Sequence, residues 1–346
     1  MAPSKPPGVM RRLWLRAKAM FRRAEPRELA PGRFERGSTA ASTGAVSTAP
    51  LVAPRREYLV YVPKGHDRGR RLSLVVLCHG CRQTPEDLAG LTGIAERADR
   101  EGWLVLLPRQ APAANPWQCW NWFDANTARG AGEAAIGAAQ IVEVRRRFGA
   151  RRERVWIGGL SAGAALAAAV GLWYPRLVRG VFAHSGLACG AAASPRTALD
   201  VMRNGPDGDV AGAADRARAA VGARALSVPL LVVTGDNDNV VGPGNHIALA
   251  RQYLRFNGHP AGIDGYTRGD ALPAPDATAR EGVGGRHRLH ASDWLADGRP
   301  LVRHVAVEAL GHAWSGGRAD FNFSDPLGPD ALDLLSSFAS VAAPLR

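Results

Sequence analysis

The 346-residue sequence predicts a doubly wound α/β fold, a mostly parallel sheet with helices on both faces and small cap-like insertions. Three observations carry this. Short apolar runs rich in β-branched residues recur from Tyr58 onward. Those after the first are near-continuous rather than alternating, as strands buried on both faces of a parallel sheet must be. Segments of helical periodicity separate them. The strands are EYLVYVP, then LSLVVLC at 72–78, WLVLLP at 103–108, VWIGGL at 155–160, VRGVFAHS at 178–185, PLLVVTG at 229–235 and, near the C-terminus, the strand within VRHVAVEALGHAWSGG. Between them lie PEDLAGLTGIAERADREG, EAAIGAAQIVEVRRRF, AGAALAAAVGLWY and PGNHIALARQYLRF, each read as helical. Two segments break the alternation, 186–221 and roughly 257–300, and are expected to be excursions over the sheet edge that face a substrate.

Composition limits the classes of function. With 46% hydrophobic and 22% charged residues the chain can own a real core. Its 44 basic and 31 acidic side chains give +13, but residues 1–56 hold 12 basic and 3 acidic ones, leaving only +4 for the other 290 residues. Basicity therefore belongs to the N-terminal segment, and nucleic-acid binding is not expected. Residues 1–54 are expected to be a basic, disordered tail and linker ahead of one folded domain at 55–346. In the tail, Leu13, Ala17, Met20 and Phe21 can share a helical face with arginines elsewhere, a pattern suited to weak contact with an anionic surface. A solvated tail is the plainer reading. No apolar run approaches the ~18 residues that span a bilayer. The apolar stretch LWLRAKAMF is interrupted by Arg16 and Lys18, so no standard secretory signal is read. Four cysteines, Cys78, Cys81, Cys119 and Cys189, are too few for a disulfide scaffold, and no second pair turns Cys78 and Cys81 into a zinc site.

The chemistry-bearing motif is GLSAG at 159–163, between the strand VWIGG and an alanine-rich helix. A lone GxSxG is weak, but a strand–GxSxG–helix unit forces a tight turn with Ser161 at its apex, its hydroxyl standing clear above the sheet. A structural serine in such a turn is the alternative. The N–H of Ala162, at the helix start, points to where an oxyanion would form. A serine hydroxyl needs a general base and an acid to orient it, and in an α/β-hydrolase these follow in the order Ser, Asp or Glu, His. The loop DNDNVV offers Asp236 and Asp238; Asp238 lies farther past the strand end and is preferred, with Asp236 capping the turn. His312, on the loop after the last strand, satisfies both order and placement. His79 lies upstream, His184 precedes the acid, His246 falls on a helix face and His304 lies inside a strand, so each is expected to be structural.

The strand LSLVVLC runs into HGCRQT, where a backbone N–H can turn toward a scissile carbonyl; that of Cys81 is the candidate, with Ala162 as its partner. Cys119 is the candidate disulfide partner of Cys81, a bond that would stiffen this loop. In NPWQCWNWFD, Trp122 and Phe123 suit a core cluster, whereas Trp120, in a post-strand loop, is expected to face substrate. No ligand cluster suggests a metal, and the chemistry needs no cofactor.

Together LCHGCRQTPEDLA, CWNWFD, GLSAGAALA, TGDNDNVV and GHAWSGG, followed by FSDPLGPDA, resemble the poly(3-hydroxybutyrate) depolymerase family of esterases, with its feruloyl and acetylxylan esterase relatives, from about residue 56 to the C-terminus. The resemblance implies an α/β-hydrolase serine esterase with Ser161, Asp238 and His312 as its triad, Cys81 in the oxyanion loop, and Trp314 beside the substrate. It implies a small or oligomeric ester as partner and an extracellular location, against which stands the missing signal, with the cytoplasm as the alternative. No appended polymer-binding module is read, so soluble oligoesters or small acyl esters are expected rather than crystalline polymer. The rival readings are a plant-polysaccharide esterase, the same triad acting on a peptide or lactone, and a membrane- or granule-binding protein with a relic fold.

Overall fold

The computed structural model describes residues 32–40, 55–67, 69, 71–192, 194–222, 227–282 and 286–343. Its centre is a parallel sheet of β3 (Ser73–Cys78), β4 (Trp103–Pro108), β5 (Val155–Leu160), β6 (Gly180–His184), β7 (Leu230–Gly235) and β10 (Arg299–Val307). Antiparallel strands extend both edges. β1 (Arg33–Ala40) and β2 (Arg55–Val62) add beside β4, and β9 (Leu289–Ala296) and β8 (Ala277–Glu281) add beside β10, giving the order β1-β2-β4-β3-β5-β6-β7-β10-β9-β8. Five of the six parallel strands, β3 to β7, are the near-continuous apolar runs; β10 is interrupted by Arg303 and His304, and β2 is the run set apart from them.

The helices cover both faces, and the period of two along the strands decides which side chains meet which helix. Leu74 and Val76 of β3, with Leu104 and Leu106 of β4, pack with α3 (Gly132–Phe148), α4 (Ala162–Trp173) and α7 (Pro243–Phe256). Val75 and Leu77, with Val105 and Leu107, pack against α1 (Pro85–Thr92), α2 (Ile94–Glu101) and α8 (Ala331–Val341). The alanines let α4 lie deep, with residues 162–172 all buried. The stretch read as one helix at PEDLAGLTGIAERADREG is two, because Gly93 takes a left-handed φ of 62° after α1.

Two expectations need correction. The linker was expected to run unbroken to residue 54, but residues 33–40 form β1, registered Arg33↔Val62 to Ala40↔Arg55 against β2. Its sequence, RFERGSTA, has no apolar run because an edge strand needs none. Phe34 rests on Tyr61 at 4.8 Å, and Glu35 bonds Arg33 and Arg147 at 2.8 Å. The rest of the tail and linker, with its proposed helical face, lies outside the described residues. The segment 257–300 is not a substrate-facing excursion either. It supplies the edge strands β8 and β9, and in β9 the buried positions alternate only loosely, which hid the strand. The other segment, 186–221, does leave the sheet, as α5 (Pro195–Asn204) and α6 (Val210–Val221).

Candidate active site

The register brings the C-terminal ends of the parallel strands to one edge, where crevices of doubly wound sheets lie. Cys78 stands opposite Gly159, Leu160 opposite His184, and Gly235 opposite Val307. The loops that follow carry His79, Ser161, Asp238 and His312.

Ser161 occupies a sharp turn with φ 57° and ψ −119°, a backbone that L side chains rarely adopt. Its N–H donates to the His184 carbonyl at 2.9 Å, and its carbonyl accepts the Ala165 N–H at 3.1 Å. The turn closes because its glycines lack side chains: a Cβ at Gly163 would collide with the carbonyls of Cys78 and His79. Ala162 opens α4, so its N–H has no acceptor within the helix and sits at the positive end of the macrodipole.

On the neighbouring loops, His312 Nδ1 and Asp238 Oδ2 are 2.8 Å apart. The other oxygen, Oδ1, accepts the N–H groups of Val240 at 3.0 Å and Val241 at 2.9 Å. Burial alone would raise this carboxyl, but the hydrogen bond and charge of His312, with those two N–H groups, bring it down to about 2. Asp236 does different work. Its carboxylate accepts the Ala309 N–H at 2.7 Å and so fixes the turn that leads to His312.

The loop after β3 is held by buried groups. His79 bonds the Gly80 carbonyl through Nδ1 at 2.8 Å, accepts the Gln110 N–H on Nε2 at 3.2 Å, and is kept neutral by burial, which lowers it to about 4. Gly80 N–H donates to Gln83 Oε1 at 2.8 Å and Arg82 N–H to the Trp117 carbonyl at 2.8 Å; none of these bonds uses the N–H of Cys81. Cys81 is joined to Cys119, 38 residues on, leaving Cys78 and Cys189 as buried thiols. Closing a loop of that length is worth roughly 3–4 kcal/mol in the chain-entropy account. Reduction, or Cys119→Ser, is therefore expected to lower the melting temperature by several degrees; an unchanged melt would show that the loop holds itself.

Ser161 and His312 line a cleft of about 520 Å3 together with Gly80, Cys81, Gln83 and Cys119. Its apolar wall comes from Leu199 and Met202 on α5, Trp117, Val240 and Phe323. Of these, Leu199 and Met202 fall within the predicted excursion 186–221, whereas Val240 and Phe323 lie in the motifs TGDNDNVV and FSDPLGPDA without having been given a role.

Both predicted substrate-facing tryptophans are corrected. Trp120 is 2% exposed, gives its indole N–H to the His79 carbonyl at 3.0 Å, and leaves the cleft to Trp117, which is 59% exposed. Trp314 is 1% exposed and stacks on His184 at 5.2 Å, beneath the site rather than in it. That His184 ring accepts the Ser315 N–H on Nε2 at 3.0 Å, which requires a neutral imidazole, and burial lowers it to about 3. Through its carbonyl and its ring, His184 ties the Ser161 turn to the segment after His312, a role the sequence did not reveal. His246 is buried on α7, and His304, inside β10, lies 3.1 Å from Thr234 Oγ1.

A family model described as esterase PHB depolymerase matches residues 56–271. The poly(3-hydroxyalkanoate) depolymerase C of Paucimonas lemoignei is 28% identical over 242 residues, 69% of this chain and 54% of that protein. An acetylxylan esterase of Coprinopsis cinerea is 26% identical over 151 residues, 42% of this chain and 40% of its own length. The chain thus spans about half the length of the curated relatives it matches. Among solved structures, the acetyl xylan esterase from Aspergillus awamori matches with a TM-score of 0.61 at 18% identity, covering 80% of this chain and 94% of its own. An S-formylglutathione hydrolase from Agrobacterium tumefaciens matches with a TM-score of 0.54 at 14% identity, covering 90% and 96%. At these identities the likeness establishes the α/β-hydrolase fold.

Proposed function

Since this chain belongs to the esterase PHB depolymerase family, we propose that it is a serine carboxylic-ester hydrolase acting on hydroxyalkanoate oligoesters or small acyl esters. Ser161 Oγ attacks the ester carbonyl while His312 Nε2 takes its proton. The N–H groups of Cys81 and Ala162 hold the tetrahedral oxyanion. His312 then gives the proton to the departing alcohol, leaving an acyl group on Ser161. Water, deprotonated by the same imidazole, attacks the acyl-enzyme; the carboxylic acid leaves and the serine hydroxyl is restored. Asp238 fixes the imidazole with its proton on Nδ1 and stabilises the imidazolium.

The observation that carries this reading is the 2.8 Å contact between Asp238 and His312, because it engages Nδ1 and leaves Nε2 for the cleft that Ser161 also lines. The apolar wall of Leu199, Met202, Val240 and Phe323 favours an aliphatic acyl chain over a sugar. The test is turnover of p-nitrophenyl butyrate together with stoichiometric labelling of Ser161 by a fluorophosphonate. Both are expected; a purified, folded protein that does neither would support the relic-fold alternative and reject ours.

A further inference from the structure

The cleft carries one charge that the proposed chemistry does not use. Apart from the ring of His312, Arg82 is the sole ionisable basic side chain among the lining residues, and none of them is acidic. Arg82 is exposed, with its backbone held from several sides and its side chain by one contact. Its backbone sits at φ 61°, its N–H donates to the Trp117 carbonyl at 2.8 Å, and its guanidinium lies 4.7 Å from the Trp117 ring centroid. The preceding residue is fixed by the disulfide to Cys119. Some arginines elsewhere are committed to carboxylates, Arg109 to Glu86 at 2.5 Å, Arg318 to Glu96 at 2.7 Å and Arg97 to Asp330 at 2.9 Å. Arg82 forms no ion pair among the described residues. Stacking on an indole orients a guanidinium and leaves its planar fork of donors free, the geometry that matches a carboxylate.

We propose that Arg82 is a specificity-determining residue that binds a carboxylate of the substrate, so that the cleft prefers esters bearing a free acid group. Short hydroxy-acid oligomers have such a group, one unit or a few from the scissile bond; acyl groups on neutral sugars, and the interior of a polymer chain, do not. This rests on the esterase reading above and narrows its substrate class to acid-terminated oligoesters.

The test compares two substrates with the same scissile ester, 3-(butanoyloxy)butanoate and its primary carboxamide, at low and high salt. For the unmodified protein, kcat/KM for the acid is expected to exceed that for the amide by about tenfold at low salt, mostly through KM. The ratio should shrink at high salt as the charges are screened. Arg82→Gln should bring the ratio close to one, and Arg82→Lys should keep part of it, because an ammonium retains charge without the fork. The ratio is internal to each variant, so a general loss of activity does not mimic the effect, and the salt series on the unmodified protein stands even if a variant folds poorly. A ratio near one in the unmodified protein, or one untouched by Arg82→Gln, would overturn the assignment while leaving the esterase reading in place. Failure to hydrolyse either ester would overturn this assignment too, and only failure on p-nitrophenyl butyrate as well would remove the esterase reading on which it rests.

Discussion

Ser161→Ala is expected to lower kcat/KM on p-nitrophenyl butyrate by roughly 10^4 to 10^6 while the protein stays folded. The magnitude follows from what the hydroxyl is asked to do. On the proposed mechanism no acyl-enzyme forms without it, and what would remain is the polarisation of the carbonyl by the N–H groups of Cys81 and Ala162, which would serve water poorly. The fold should be indifferent because alanine meets the same backbone demand at φ 57° as serine does. The bonds that shape the turn, from Ser161 N–H to His184 and from Ala165 N–H to Ser161, are made by the backbone. A fluorophosphonate that labels the unmodified protein should leave the variant untouched. Turnover within about tenfold of the parent would remove Ser161 from the chemistry.

The sheet was legible where hydrophobic burial dominates local choice. β3 to β7 are buried on both faces, so their sequences are apolar runs that cannot be satisfied elsewhere, and the helices between them complete the pattern. β1 and β8 were hidden because edge strands are held by backbone pairing, with ion pairs added in β1; every residue of β8 is exposed. The same contrast governs the cleft. Ser161, Asp238 and His312 could be placed because each follows a strand end whose position is fixed by the order of the chain. The tryptophans could not, since a loop of four aromatics reads the same whichever of them turns inward. A buried hydrogen-bond network made that choice: Glu133 accepts from Gln110 at 2.6 Å and from the N–H of Asn121 at 2.6 Å, beside Trp120. His184 was set aside because it precedes the acid in the chain, yet it lies under the site, where sequence order carries no information about contacts made from beneath.

Asp238→Asn should reduce kcat/KM by about 10^4, and Asp236→Asn by no more than a few-fold. The difference follows from which oxygen each carboxylate has committed. Asp238 Oδ1 accepts two backbone N–H groups, so an asparagine placed there keeps its carbonyl oxygen on Val240 and Val241 and turns its NH2 toward His312. A donor facing Nδ1 forces that nitrogen to accept, which moves the ring proton to Nε2, and a protonated Nε2 cannot take a proton from Ser161. Asp236 uses one oxygen to accept the Ala309 N–H, and an asparagine carbonyl can do the same, so the turn survives. The two variants should also part in their pH dependence. With its pKa lowered from 3.8 to about 2 in the folded protein, Asp238 contributes stability that is fully present above the unfolded value and is lost as pH falls through about 2. The part of the stability gap between parent and Asp238→Asn that comes from this carboxyl should therefore begin to shrink below about pH 4 and be lost by about pH 2. Denaturation midpoints measured across that range, with kcat/KM for both variants, test the assignment. A larger loss from Asp236→Asn than from Asp238→Asn would move the acid role to the other carboxylate.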